Sequence, residues 1–134
     1  MRGGRGGGKT WTGSNAFAEL ITTSEPGEWG VIAPTYGDAR DTCIESDESG
    51  LIKALGGKCG PNGVLVEKGP HIASWNRSMG DLRLRNGSVI YADGADDGAL
   101  RIQGKNLRGA WCDEVGLWKR WKTAWADHSK YAVR

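Results

Sequence analysis

Trp29-Gly30-Val31-Ile32-Ala33-Pro34-Thr35-Tyr36-Gly37-Asp38 is the stretch on which the fold class turns. Trp29 to Ala33 is short and largely apolar, as a buried strand requires, and Pro34 ends it because proline has no N–H to give a ladder. Thr35 and Asp38 follow at capping-box spacing, with Asp in place of the usual Glu, ahead of a helix carrying Ala39, Cys43 and Ile44. A buried strand that passes at once into a capped helix is the unit of an α/β fold.

Working outward, Lys9 to Ile21 reads as a helix with Phe17, Leu20 and Ile21 on one face, stopped by Ser24-Glu25-Pro26-Gly27. Ser46 to Leu55 reads as a short helical segment ended by Gly56-Gly57, and Lys58 to Gly63 as loop. Leu82 and Leu84 alternate with Arg83 and Arg85 before Asn86-Gly87, the signature of a two-residue hairpin turn, and Ser88 to Ala92 returns as its second strand. Arg83 and Arg85 share one face of that hairpin, which reads as solvated, DNA phosphates being the alternative contact. Gly94 to Gly109 holds a short helix at most, and Ala110 to Cys112 is a brief apolar run ending at Asp113-Glu114. Trp118 to Val133 reads as a helix with Trp118, Trp121 and Trp125 on one face, suited to core packing more than to a membrane surface or partner.

Length and composition narrow the function classes. A chain of 134 residues suits one domain, spanning 1–134, with enough interior for a core. With 38% hydrophobic residues and seven tryptophans it is not a wholly disordered chain, and no apolar run is long enough to span a membrane. A net charge of +2 does not by itself announce a nucleic-acid partner. Cys43, Cys59 and Cys112 are odd in number and form no CxxC pair, and His71 and His128 offer no metal spacing, so a disulfide framework and a zinc site are both disfavoured. Buried, reduced cysteines and the lack of a secretory signal at the start point to a cytoplasmic setting.

Gly3-Gly4-Arg5-Gly6-Gly7-Gly8-Lys9-Thr10 satisfies G-x-x-x-x-G-K-[ST], a Walker A motif over 3–10. The glycines let the backbone curl until several N–H groups face one concavity that suits phosphate oxygens. Lys9 can reach the β- and γ-phosphates, the Thr10 hydroxyl can join a Mg²⁺ shell, and the following helix points its positive end at the same anion. The competing reading is that Arg2-Gly3-Gly4-Arg5-Gly6-Gly7 is an RGG arm that binds nucleic acid by charge and stacking.

A second motif separates the two. Phosphoryl transfer on such a loop needs a strand-end carboxylate on the metal side and a group to activate water. Ala110-Trp111-Cys112-Asp113-Glu114, a Walker B motif over 110–114, offers Asp113 for the first role and Glu114 for the second.

Together these stretches resemble the ATPase region of the large terminase subunit of tailed bacteriophages. The resemblance covers most of the chain and rests on Arg2 through Thr10, on Val31-Ile32-Ala33-Pro34-Thr35 with Ala39-Arg40, and on Leu100-Arg101-Ile102-Gln103-Gly104 through Gly109-Ala110-Trp111-Cys112-Asp113-Glu114. It implies a P-loop NTPase-type three-layer α/β fold with a mainly parallel sheet, to which the hairpin is added. It also implies ATP and Mg²⁺ as cofactors, and a homo-oligomeric ring around double-stranded DNA in the host cytoplasm, without a membrane. The implied partners are the small terminase subunit and the portal protein.

Carried over by position, Lys9 and Thr10 are the Walker A lysine and hydroxyl, Asp113 the metal-side aspartate, Glu114 the catalytic glutamate, and Arg5 the arginine that many terminases keep inside the loop. Many terminases place an arginine directly before the glycine that matches Gly104. Gln103 stands there in this sequence, so a trans-acting arginine would fall to Arg101, Lys105 or Arg108, of which Arg101 is preferred. A strand and an adenine-contacting segment before the phosphate loop, a coupling motif after the acidic pair and a nuclease domain all lie outside these residues. The expectation is therefore an incomplete ATPase domain of low independent stability and turnover. A helicase-like P-loop ATPase and a nonenzymatic nucleic-acid binder remain the alternatives.

Overall fold

A computed structural model of the chain describes residues 7–98, 100–112 and 132–133. The stretch that decides the fold class forms strand β1 (Glu28–Ala33), buried from Trp29 to Ala33. Burial of consecutive residues follows from its place: β1 pairs in parallel with β6 (Val89–Gly94) on one side and with β7 (Leu107–Cys112) on the other, Val31 lying opposite both Ala92 and Trp111. Thr35 caps the turn after β1, its Oγ1 accepting from the Asp38 N–H at 3.0 Å. Helix α2 (Tyr36–Asp38) then passes into a π-helical segment, Ala39–Ile44, which buries the expected Ala39, Cys43 and Ile44.

Helix α1 runs over Gly7–Thr23, longer at both ends than its apolar spacing predicts. Helix α3 covers only Leu51–Ala54 of the segment read as helical from Ser46, because the Ser46 hydroxyl accepts from the N–H groups of Glu48 and Ser49 and folds those residues into turns. Lys58 to Gly63 is not all loop: β2 (Lys58–Cys59) pairs antiparallel with β3 (Leu65–Glu67) in a small separate ribbon.

The hairpin is present but differs from its prediction in two ways. Strands β5 (Asp81–Leu84) and β6 are joined through Arg85-Asn86-Gly87: the Leu84 N–H donates to the Ser88 carbonyl, and Gly87 stands in the left-handed region at φ 101°. The loop is thus one residue longer than a two-residue turn, since Asn86 Oδ1 accepts from the Ser88 N–H and Gly87 absorbs the positive φ. The hairpin is also no appendage. Its second arm is a central strand, and β4 (Ile72–Asn76), which sequence patterning had not revealed, pairs outside β5.

The main sheet has the order β4-β5-β6-β1-β7-β8, with β8 (Ala132–Val133) parallel to β7. Its pairings are parallel from β6 to β8 and antiparallel from β4 to β6, so the sheet is mixed, with three of its five pairings parallel. Ala132 and Val133, expected at the end of a tryptophan helix, are strand residues beside Ala110 and Trp111. The helical reading of 118–131 lies outside the described residues.

One face of the sheet carries α1, the π-helical segment and α3 over a core that includes Phe17, Ile21, Trp29, Val31, Cys43, Ile44 and Trp111. Phe17 meets Trp29 edge-on at 6.0 Å and Trp111 at 6.1 Å, and truncating so central a ring costs about 3–5 kcal/mol. The opposite face buries a smaller cluster of Ile32, Tyr91, Ala95, Ile102, Leu107 and Ala110. Among the described residues it is covered by 3₁₀ turns at Ala95–Asp97 and Leu100–Ile102.

Candidate functional site

Three parallel strands end along one edge of the sheet: β1 at Ala33, β6 at Gly94 and β7 at Cys112. In open α/β sheets, ligands sit in the crevice at such carboxyl ends. Helix α1 is aimed there. Its Gly13 lies against Trp111 near the end of β7, Phe17 bridges Trp111 and Trp29, and Leu20 borders a hollow with Trp29, Leu107 and Arg108 at the strands' beginnings. The helix therefore runs opposite to the strands and brings its first turn, Gly7 to Thr10, to their carboxyl edge. The leading N–H groups of a helix have no intrahelical partner, and the dipole makes that end positive, so this turn suits an anion.

These features test whether the chain suits the nucleotide and metal that its motifs imply. Gly7, Gly8, Lys9 and Thr10 belong to the helix's opening turn. Gly13, four residues after Lys9, touches Trp111, two residues before Asp113. A Cβ added at Gly13 would lie 2.7 Å from Trp111 Nε1 and 2.8 Å from Cε2, so only glycine lets helix and strand come this close. The opening turn of α1 thus suits an anion at the edge where β7 ends. Gly3, Gly4, Arg5 and Gly6, together with Asp113 and Glu114, lie outside the described residues.

The three cations weighed for a trans-acting role sit in different places, each over an aromatic ring of its own chain. Arg101 lies at the carboxyl edge, its guanidinium 4.3 Å from the centre of the Tyr36 ring and donating to the Met79 carbonyl. Lys105 stands over Tyr91, and Arg108 stands over Trp29, the second residue of β1. Arg101 owes its place to Asp93, a carboxylate only 2% exposed. Its two oxygens accept from the N–H groups of Gly94 at 2.8 Å and Ile102 at 3.0 Å, which pins the 3₁₀ turn carrying Arg101 to the end of β6. Burial raises the Asp93 pKa above the ordinary value, while those amides pull it back.

Sequence reasoning missed Tyr36 and Asp93. Tyr36 follows the cap residue, donates its hydroxyl hydrogen to the Arg77 carbonyl and lies within cation–π reach of both Arg101 and Arg40. The only signal in the sequence was an aromatic residue directly after a capping threonine. Also unforeseen is a groove of about 990 Å³ between the π-helical segment and the β2–β3 ribbon, with Arg40, Lys58 and Arg77 facing Asp41, Glu45 and Asp47. Glu45 is held there by the Trp75 indole N–H at 2.7 Å and by Arg77. Among the described residues no group of three or more His, Cys, Asp or Glu is placed to hold a metal ion, and no helix is long and apolar enough to cross a membrane.

Among curated proteins none matches the chain. A solved structure, the large terminase of a thermophilic bacteriophage, superposes with a TM-score of 0.62 at 20% identity, over 94% of this chain and 30% of that one. At that identity the likeness speaks to the fold, and the chain spans less than a third of the relative's length. The family described as terminase large subunit, T4likevirus-type, N-terminal, matches residues 1–127. By that match over nearly its whole length, the chain belongs to the terminase large subunit family and corresponds to its N-terminal part.

Proposed function

We propose that this chain is the nucleotide-hydrolysing part of a motor that packages viral DNA into a procapsid. The observation that carries the reading is the orientation of α1, whose opening turn reaches the carboxyl edge where β7 leads into Asp113 and Glu114. Gly7 and Gly8 are already helical, which favours a phosphate loop over an extended RGG arm.

In this reading the backbone N–H groups of residues 3–10 cradle the phosphates of ATP, and Lys9 holds the β- and γ-oxygens. Mg²⁺, when bound, neutralises charge on those oxygens. Thr10 and Asp113 are the residues that would hold it. Glu114 accepts a proton from the water whose oxygen attacks the γ-phosphorus, and ADP departs with the electrons of the broken P–O bond. Arg5 senses the γ-phosphate from within the loop. Of the three cations, Arg101 is the one at the carboxyl edge, and it is assigned the action on a neighbouring subunit's nucleotide. The motor acts as a homo-oligomeric ring on double-stranded DNA in the host cytoplasm, with the small terminase subunit and the portal protein as partners.

The test is Lys9→Ala in the full chain. Nucleotide affinity, measured by calorimetry, should fall at least about 100-fold while DNA affinity stays within about threefold. Nucleic-acid binding that survives Lys9→Ala, with no nucleotide binding in the parent chain, would replace the motor with a Gly/Arg-arm binder.

A further inference from the structure

Trp111 ties the carboxyl end of β7 to helix α1. It sits in β7, 4% exposed, with its indole edge against Gly13 and its ring 6.1 Å from Phe17. Gly13 and Phe17 both belong to α1, whose first turn carries Lys9 and Thr10, and Trp111 precedes Asp113 by two residues. A core tryptophan has many ways to fill space, but here the facing helix position has no side chain at all. The neighbouring atoms are ring atoms of a buried residue, unable to swing aside as the tip of a long chain can. The separation of helix and strand is therefore set by the thickness of one indole.

We propose that Trp111 is a positioning residue for the proposed nucleotide site, with Gly13 as its socket: together they fix how far the opening turn of α1 stands from the carboxyl end of β7, which leads into Asp113. This rests on the nucleotide reading above. Metal-bound ATP must be gripped from both sides at once, by the loop on its phosphates and by Asp113 through the metal. A change of spacing between the grips weakens the metal-dependent part of the affinity and leaves the loop's own hold on phosphate in place.

The experiment measures nucleotide affinity by calorimetry with Mg²⁺ and with EDTA, alongside kcat and KM, in the full chain. Trp111→Ala and Gly13→Ala should each reduce the ratio of the two affinities at least about fivefold and lower kcat at least about tenfold, with the EDTA affinity within about twofold of the parent. Combining Gly13→Ala with Trp111→Phe should recover most of both losses, because the smaller ring yields the space that the new methyl group takes. Should Trp111→Ala fail to fold, Gly13→Ala and Trp111→Phe carry the test. Variants that melt at lower temperature yet keep the parent's Mg²⁺ ratio and kcat would reduce Trp111 to core packing and overturn the inference alone. A parent chain that binds no nucleotide overturns the functional reading along with it.

Discussion

The two ends of the central strands are closed in different ways. At the carboxyl edge backbone approaches backbone. A Cβ at Gly94 would stand 2.6 Å from the Thr35 carbonyl carbon and 2.7 Å from its Cα, and one at Gly80 would stand 3.0 Å from the Tyr36 ring. At the amino edge side chains do the closing: Tyr91 donates to Glu28 Oε2 at 2.9 Å, Glu28 Oε1 accepts from the Asn106 N–H, and Arg108 lies over Trp29. The difference teaches that one edge is fixed where glycine backbone packs closely on its neighbours, whereas the other is sealed by long side chains that can readjust. A crevice that admits a ligand calls for the first kind of construction.

The largest test of that contrast is Gly94→Ala. Its methyl group would press on the backbone of Thr35 and Tyr36, which cannot rotate away, and should cost about 3 kcal/mol of stability by urea melt. A loss below about 1 kcal/mol would show the carboxyl edge to be as yielding as the amino one.

Each edge also holds an acid with a raised pKa, and the two bring instability at opposite ends of the pH scale. Buried Asp93 keeps its proton above the ordinary 3.8, so just above that pH the folded state binds more protons than the unfolded one and stability falls as pH rises. Asp93→Asn should flatten the denaturation midpoint against pH across that window, and an unchanged slope would assign it to other carboxyls. At the amino edge, burial and the Glu28 partner push Tyr91 up to about 12. The same sign then applies in alkali: stability is lost between the ordinary pKa of 10 and 12, and Tyr91→Phe should remove that share of the loss, read by melts over the same range.

The smallest expected effect is Gly27→Ala at the amino edge. The added methyl group would meet Cγ and Cδ of Arg108, an exposed side chain free to shift, so the cost should stay below about 1 kcal/mol. A loss comparable to that of Gly94→Ala would erase the distinction between the edges.

Much of the α/β core was legible because it rests on local rules. A five-residue apolar run, a proline and a threonine at cap spacing gave β1 and its capped turn, and Asn86-Gly87 placed a hairpin at the right residues. What was not legible depends on pairing at a distance. Nothing in Val89 to Gly94 marks it as the partner of β1, and β4 carries too irregular an alternation, with a bulge between Ile72 and Ser74, to stand out. At the site, the helix that begins at Gly7 and the apolar run that ends β7 could be read from the residues. Asp93 could not, since a lone aspartate before a glycine discloses neither its burial nor the two amides that hold it.

The double role of β6 also bears on how the molecule assembles. Its pairing with β1 closes about sixty residues of chain, a slow event if each contact had to be found separately. Strands β4, β5 and β6 follow one another as a meander, however, and can zip together through short loops before meeting anything else. The long-range step then becomes the docking of a ready-made three-strand unit onto β1, and Gly87, which shapes the last turn of that unit, becomes a kinetic determinant of folding although it lies far from the crevice.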